Sequence, residues 1–155
     1  MNYRVLGVSP ERFRPLFDLS DEELASHGAV RSHAKEAHSI PCRVSLTEAE
    51  IDDEILLITY PHHETESPYR SIGPIYVRRR ATVPYDAVNT LPEMQLRRLS
   101  SVRAYDAAGF LLEADVAPGP ELERTILRFF GNEDVDVIHV HNARPGCFAF
   151  QVVRA

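Results

Sequence analysis

The chain has 155 residues, 44% hydrophobic and 26% charged, with a formal net charge of −6, which fits one ordinary globular domain over residues 1–155 and excludes general disorder or a fibrous repeat. The acidic balance argues against a standing nucleic-acid binder, which needs a basic face to displace counterions. No apolar run approaches the roughly 20 residues that cross a bilayer.

In chain order, residues 3–8 (YRVLGV) predict a strand closed by Ser9-Pro10. Ser20 and Glu23 are spaced as a capping box, so a short helix runs from there to His27 and stops at Gly28. Residues 32–41 (SHAKEAHSIP) are polar and aperiodic, which predicts a loop. Strands follow over residues 43–46 and, more strongly, 54–60 (EILLITY); residues 61–68 (PHHETESP) predict a loop in which His62 and His63 are solvated, and residues 72–79 a further strand. A short helix is predicted over residues 91–98. Residues 101–106 and 110–116 flank Ala107-Ala108-Gly109, which is hairpin chemistry. Gly119-Pro120 opens the best helix, stopped by Gly131, with Leu122, Ile126, Leu127 and Phe130 as its buried stripe. Residues 135–141 and 147–153 close the chain as two strands around Asn142-Ala143-Arg144-Pro145-Gly146. The order predicts an α+β fold with a mainly antiparallel sheet, two or three helices and a C-terminal β-hairpin.

Residues 1–5 (MNYRV) lack the basic-then-apolar pattern of a signal peptide, so the expectation is a cytoplasmic protein. Cys42 and Cys147, far apart in sequence, read as thiols in such a reducing compartment. Lys35 is the single lysine against 16 arginines; arginine binds planar anions bidentately, but the ratio is read mainly as codon bias. The basic side chains concentrate at Arg78-Arg79-Arg80 and Arg97-Arg98, either a solvated rim or a local anion-attracting patch.

The final hairpin carries the most chemistry. Strand alternation places Val137, His139 and His141 on one face, opposite Ile138 and Val140. With a five-residue loop, His141 pairs with Cys147, His139 with Ala149 and Val137 with Gln151, and Phe148 joins the apolar face. Two imidazoles, a thiol and an amide then converge, since opposed Cβ atoms lie about 4.5–5.5 Å apart. Three chemistries fit. His141 activates Cys147 as a nucleophile. Alternatively His139, His141, Cys42 and Cys147 hold zinc or another transition metal. In the third, the histidines simply hydrogen-bond within the sheet around a small buried thiol. Upstream, Arg43, Arg70 and Arg103 form a candidate anion clamp, with surface ion pairs as the plainer reading. Tyr69 is either a ligand-orienting or a core aromatic. No Walker loop, GxGxxG, HExxH or GxSxG occurs.

The blocks Pro41-Cys42-Arg43-Val44-Ser45-Leu46, Ser67-Pro68-Tyr69-Arg70, Gly73-Pro74-Ile75-Tyr76-Val77-Arg78, Arg103-Ala104-Tyr105-Asp106 and His139-Val140-His141-Asn142-Ala143 with Gly146-Cys147-Phe148 resemble an uncharacterised, mainly bacterial family catalogued as domain of unknown function 1203. The resemblance implies a single domain of about this length and brings no catalytic assignment. Its polar blocks lie beside loops, where binding and chemistry concentrate. The expectation is an enzyme or enzyme-like protein acting on a small anionic metabolite, without a cofactor. Arg43 and Arg70 hold the anion, and His139 and His141 supply acid–base capacity near neutral pH. Tyr69 and Asn142 orient the ligand, and Cys147 is a supporting or reactive thiol. The rival reading is a non-catalytic module for a small ligand or a metal.

Overall fold

A computed structural model describes all residues, Met1–Ala155. It has an α+β architecture with nine strands, mainly antiparallel, and three helices, and it closes on a hairpin. The strands are β1 (Tyr3–Leu6), β2 (Ala29–His33), β3 (Glu54–His63), β4 (Ser71–Arg78), β5 (Asp86–Val88), β6 (Leu99–Tyr105), β7 (Leu111–Pro118), β8 (Val137–Asn142) and β9 (Phe148–Arg154). The helices are α1 (Asp21–Ser26), α2 (Glu93–Leu96) and α3 (Leu122–Phe129), with single 3₁₀ turns at Arg14–Asp18 and Gly119–Glu121. Six strands form one sheet in the order β5-β1-β9-β8-β6-β7, and β2-β3-β4 form a second. No helix is long and apolar enough to cross a membrane.

Local chemistry explains the elements that match the sequence reading. Ser20 Oγ accepts from Glu23 N while a Glu23 carboxylate oxygen accepts from Ser20 N, completing the capping box, and Gly28 follows at φ +66°. The helix α3 lays Leu122, Ile126, Phe129 and Phe130 against one face of the large sheet, where Val102, Ala104, Ile138, Val140, Phe150 and Val152 complete the main core. Leu127, expected in that stripe, is exposed, and Phe129 takes its place. Where α2 meets the turn before α3, the backbones touch: a Cβ on Gly119 would stand 2.0 Å from the Leu96 carbonyl oxygen.

Several boundaries differ from expectation. The loop read over residues 32–41 begins as β2, an edge strand whose polar outer positions hide it. Residues 43–46 are not a strand. Leu46 takes φ +51° and the chain doubles back, so that Cys42 N donates to Thr47 O and Leu46 N to Cys42 O. The strand β3 runs on through Pro61 to His63; its pairing with β4 is irregular between Tyr60 and His63, a place where the missing proline N–H costs no ladder bond.

The hairpin register also differs. His139 pairs with Gln151 and Val137 with Val153, two residues on from the expected partners. The turn closes one step later than expected, with Asn142 N donating to Cys147 O. A bulge then separates the Val140–Phe150 and His141–Phe148 pairs, leaving Ala149 as the extra residue. The bulge rotates Phe148 off the α3 face and onto the histidine face. Residues 138–142 are all buried, so both faces of β8 are covered.

Candidate functional site

The face of the large sheet turned away from α3 meets the end of β3, and four histidines gather there. His139 stands across from Arg103 on β6, and His141 across from Ser101. From β3, the His62 ring lies 5.1 Å from that of His141, and the His63 ring 5.0 Å from that of His139, both edge to face. Phe148 stacks on His62 at 5.3 Å with only 14° between the planes. Tyr105 packs 4.1 Å from His63 and 5.1 Å from His139.

Hydrogen bonds fix the proton positions of two rings. A carbonyl only accepts, so His141 Nδ1–H donates to Gly146 O at 3.0 Å and His63 Nε2–H donates to Gly109 O at 3.0 Å. That leaves His141 Nε2 as a lone pair with no partner, and His139 Nδ1 and His62 Nδ1 are buried without partners as well. Burial pushes the pKa of His139 and of His141 down to about 3, with Arg103 and the neighbouring imidazoles adding repulsion. For His141 the bond to Gly146 O opposes that fall without reversing it. His62 is pushed in the same direction, mainly by burial. His139 and His141 are therefore held neutral at neutral pH, with His141 Nε2 as an acceptor, not the half-protonated acid–base pair expected from an unperturbed imidazole.

A second constellation forms at the other end of β8. Arg43 is only 1% exposed, and its guanidinium donates from Nε to Phe148 O at 2.6 Å, from Nη1 to Pro41 O, and from Nη2 to Cys147 Sγ at 3.0 Å. Asn142 Nδ2 lies 3.9 Å from the same sulfur, and Asn142 Oδ1 accepts from the buried Gln95 amide. Arg97, Arg98 and Arg144 join Arg43, Asn142 and Cys147 around a cavity of about 460 Å³ with no acidic side chain on its wall. Glu48, set behind it, takes Arg97, Arg98 and His38 as partners, and these hold its carboxyl below the usual range against the opposing effect of burial.

The expected site thus divides. Arg43, Asn142 and Cys147 share one cavity, whereas His139 lines a different one of about 420 Å³ together with His62 and His63. The Cys147 sulfur is engaged by Arg43 and Asn142, not by His141. Tyr69 and Arg70 are exposed: the Tyr69 ring packs 6.3 Å from those of Tyr105 and Phe110, and Arg70 borders a shallow groove with Glu64 and Glu66. The three-arginine clamp is not assembled, since Arg43, Arg70 and Arg103 stand in separate settings. The metal set Cys42, His139, His141 and Cys147 is not assembled either. Cys42 is buried in the second core, accepting from Arg78 N, and no group of three or more His, Cys, Asp or Glu side chains is arranged to hold a metal ion. His62 and His63 are the residues that the sequence reading left in solvent; only the continuation of β3 past Pro61 brings them in.

Residues 39–154 match the model of a family described as a protein of unknown function (DUF1203). No curated protein and no solved structure matches the chain.

Proposed function

The chain belongs to the DUF1203 family, proteins of unknown function, and from that premise we propose that it is an enzyme-like protein that binds a small anionic metabolite in the cavity walled by Arg43, Arg97, Arg98 and Arg144. The observation that carries this reading is Arg43: a buried guanidinium with no carboxylate partner, on the wall of a cavity that holds no acid. A buried unpaired charge is costly. A carboxylate or phosphate entering the cavity offsets that cost through charge-assisted hydrogen bonds. Burial lowers the pKa of Arg43, as it does for any cation taken out of water. At about 460 Å³ the cavity lies within the size range of metabolite sites.

Asn142 orients the bound anion, and Cys147 is the nucleophilic atom the cavity offers, its sulfur already held by Arg43. His141 supports the site from behind by tying down Gly146, the residue before Cys147. Thermal unfolding in the presence of inorganic phosphate, citrate and small monocarboxylates tests the reading. A saturable rise in melting temperature is expected, because a ligand that binds only the folded state stabilises by mass action. Arg144→Ala should remove that rise without lowering the melting temperature of the free protein. A bound anion should also shield Cys147 from iodoacetamide. Stabilisation no greater than that of chloride at equal ionic strength, for every anion tried, overturns the reading.

A further inference from the structure

The opposite end of β8 carries a cavity of different character. Of about 420 Å³, it is walled by His62, His63 and His139 and by the carboxylates of Glu64, Asp106 and Asp136, with no arginine or lysine on its lining. None of the three carboxylates forms an ion pair. Asp106 spends one oxygen on the amides of Ala108 and Phe110, which leaves its other oxygen free. His139, 2% exposed, has an unpartnered Nδ1. Unsatisfied buried polar atoms are rare in native structures and mark places where a ligand or water completes the bonding.

We infer that this cavity is a second ligand site, built for the ammonium group of a small primary amine. The carboxylates supply charge at the mouth, and deeper in the His139 imidazole supplies a ring nitrogen that accepts when the proton sits on the other nitrogen. An ammonium is a compact cation with three donors and no acceptor, which matches a wall rich in acceptors. It reaches its partners over hydrogen bonds of about 2.7–3.2 Å and tolerates acceptors spread around it. A bare metal ion needs ligands converging at about 2.0–2.3 Å; no such group is formed here. Arg103 stands across from His139 on β6 but does not line the cavity, and its charge biases the amine toward the carboxylate side.

The test is a titration of ¹⁵N-histidine-labelled protein with 1,4-diaminobutane and ethanolamine, followed by the imidazole resonances, with tetramethylammonium and zinc chloride run separately. Saturable shifts of His139 with the primary amines, and weak or absent ones with tetramethylammonium, are expected. Asp136→Asn should weaken amine binding about tenfold, since the carboxylate's charge is lost and only a neutral acceptor remains. Arg144→Ala should leave amine binding unchanged, which separates this site from the anion cavity. Absence of saturable shifts with both amines, equal binding of tetramethylammonium, full affinity in Asp136→Asn, or zinc binding one-to-one where amines do not bind, each overturns the inference.

Discussion

Arg43 and Cys147, 104 positions apart in the chain, meet at 3.0 Å from Nη2 to Sγ. The same guanidinium holds the carbonyls of Pro41 and Phe148, so one side chain fastens the segment around Cys42 to the start of β9. Arg43→Met should therefore destabilise strongly. Each buried carbonyl left without a donor costs about 1–3 kcal/mol, so a loss of roughly 3–5 kcal/mol in urea unfolding is expected. Cys147→Ser keeps an acceptor at that position and should cost about 1 kcal/mol at most. An Arg43→Met protein as stable as the parent would show that these bonds do not secure the segment.

The buried histidines make stability depend on pH. In the folded chain His139 and His141 protonate at about 3, and in the unfolded chain near the ordinary 6.5. Between those values the unfolded chain binds more protons, so stability is full above about 6.5 and falls as pH is lowered toward 3. The slope approaches about 1.4 kcal/mol per pH unit for each imidazole. Denaturant midpoints should drop between pH 6.5 and 4.5, and His139→Gln should flatten that part of the curve. An unchanged slope in that variant would remove His139 from the account.

Phe148 is 4% exposed and covers the His62 ring. Phe148→Ala should cost roughly 3–5 kcal/mol, the usual loss for a buried aromatic truncated in place. It should also open His62 to water, so that an NMR titration finds its pKa higher than in the parent. Phe148→Leu should keep most of the stability. A His62 titration untouched by Phe148→Ala would mean that other neighbours enclose it.

Gly119 offers a steric test of how α2 seats the start of α3. An added methyl would stand 2.0 Å from the Leu96 carbonyl oxygen, a backbone atom that cannot swing aside. Gly119→Ala should cost about 3 kcal/mol, the upper end of overpacking penalties. Gly146→Ala is the contrasting case: φ is +81° but nothing lies within 4 Å of the new methyl. It should show only the conformational cost of a non-glycine residue in the left-handed region, roughly 1–2 kcal/mol. Melting curves of the two variants side by side separate contact from conformation.

The sequence revealed elements whose signals are local. The capping box at Ser20 and Glu23 marks α1, and Pro120 and Gly131 bracket the 3₁₀ turn and α3. The final hairpin declares itself by alternation, and the fold class follows from the order of elements. Its register was not legible, because the bulge at Ala149 answers a tertiary demand: Phe148 is needed in the gap against His62 and Tyr60. Residues 29–33 carry no strand pattern of their own and depend on β3 for pairing. His62 and His63 were hidden because Pro61 ordinarily ends a strand, and nothing local announces that β3 bends past it. Arg43, Asn142 and Cys147 were recognisable as polar side chains beside turns; their separation from His139 into another cavity depends on which face each occupies after the bulge.

Both irregular ladders, at Tyr60–His63 and at Val140–His141, border the same gap between the two sheets. The spacing of the rings there is consequently a property of main-chain offsets more than of side-chain identity. Single substitutions swap the fittings on a fixed frame. Adding or removing one residue at either offset re-phases the strand beyond it, turning hydrocarbon inward where imidazole had been, so the face each strand presents to the gap depends on chain length at these two places.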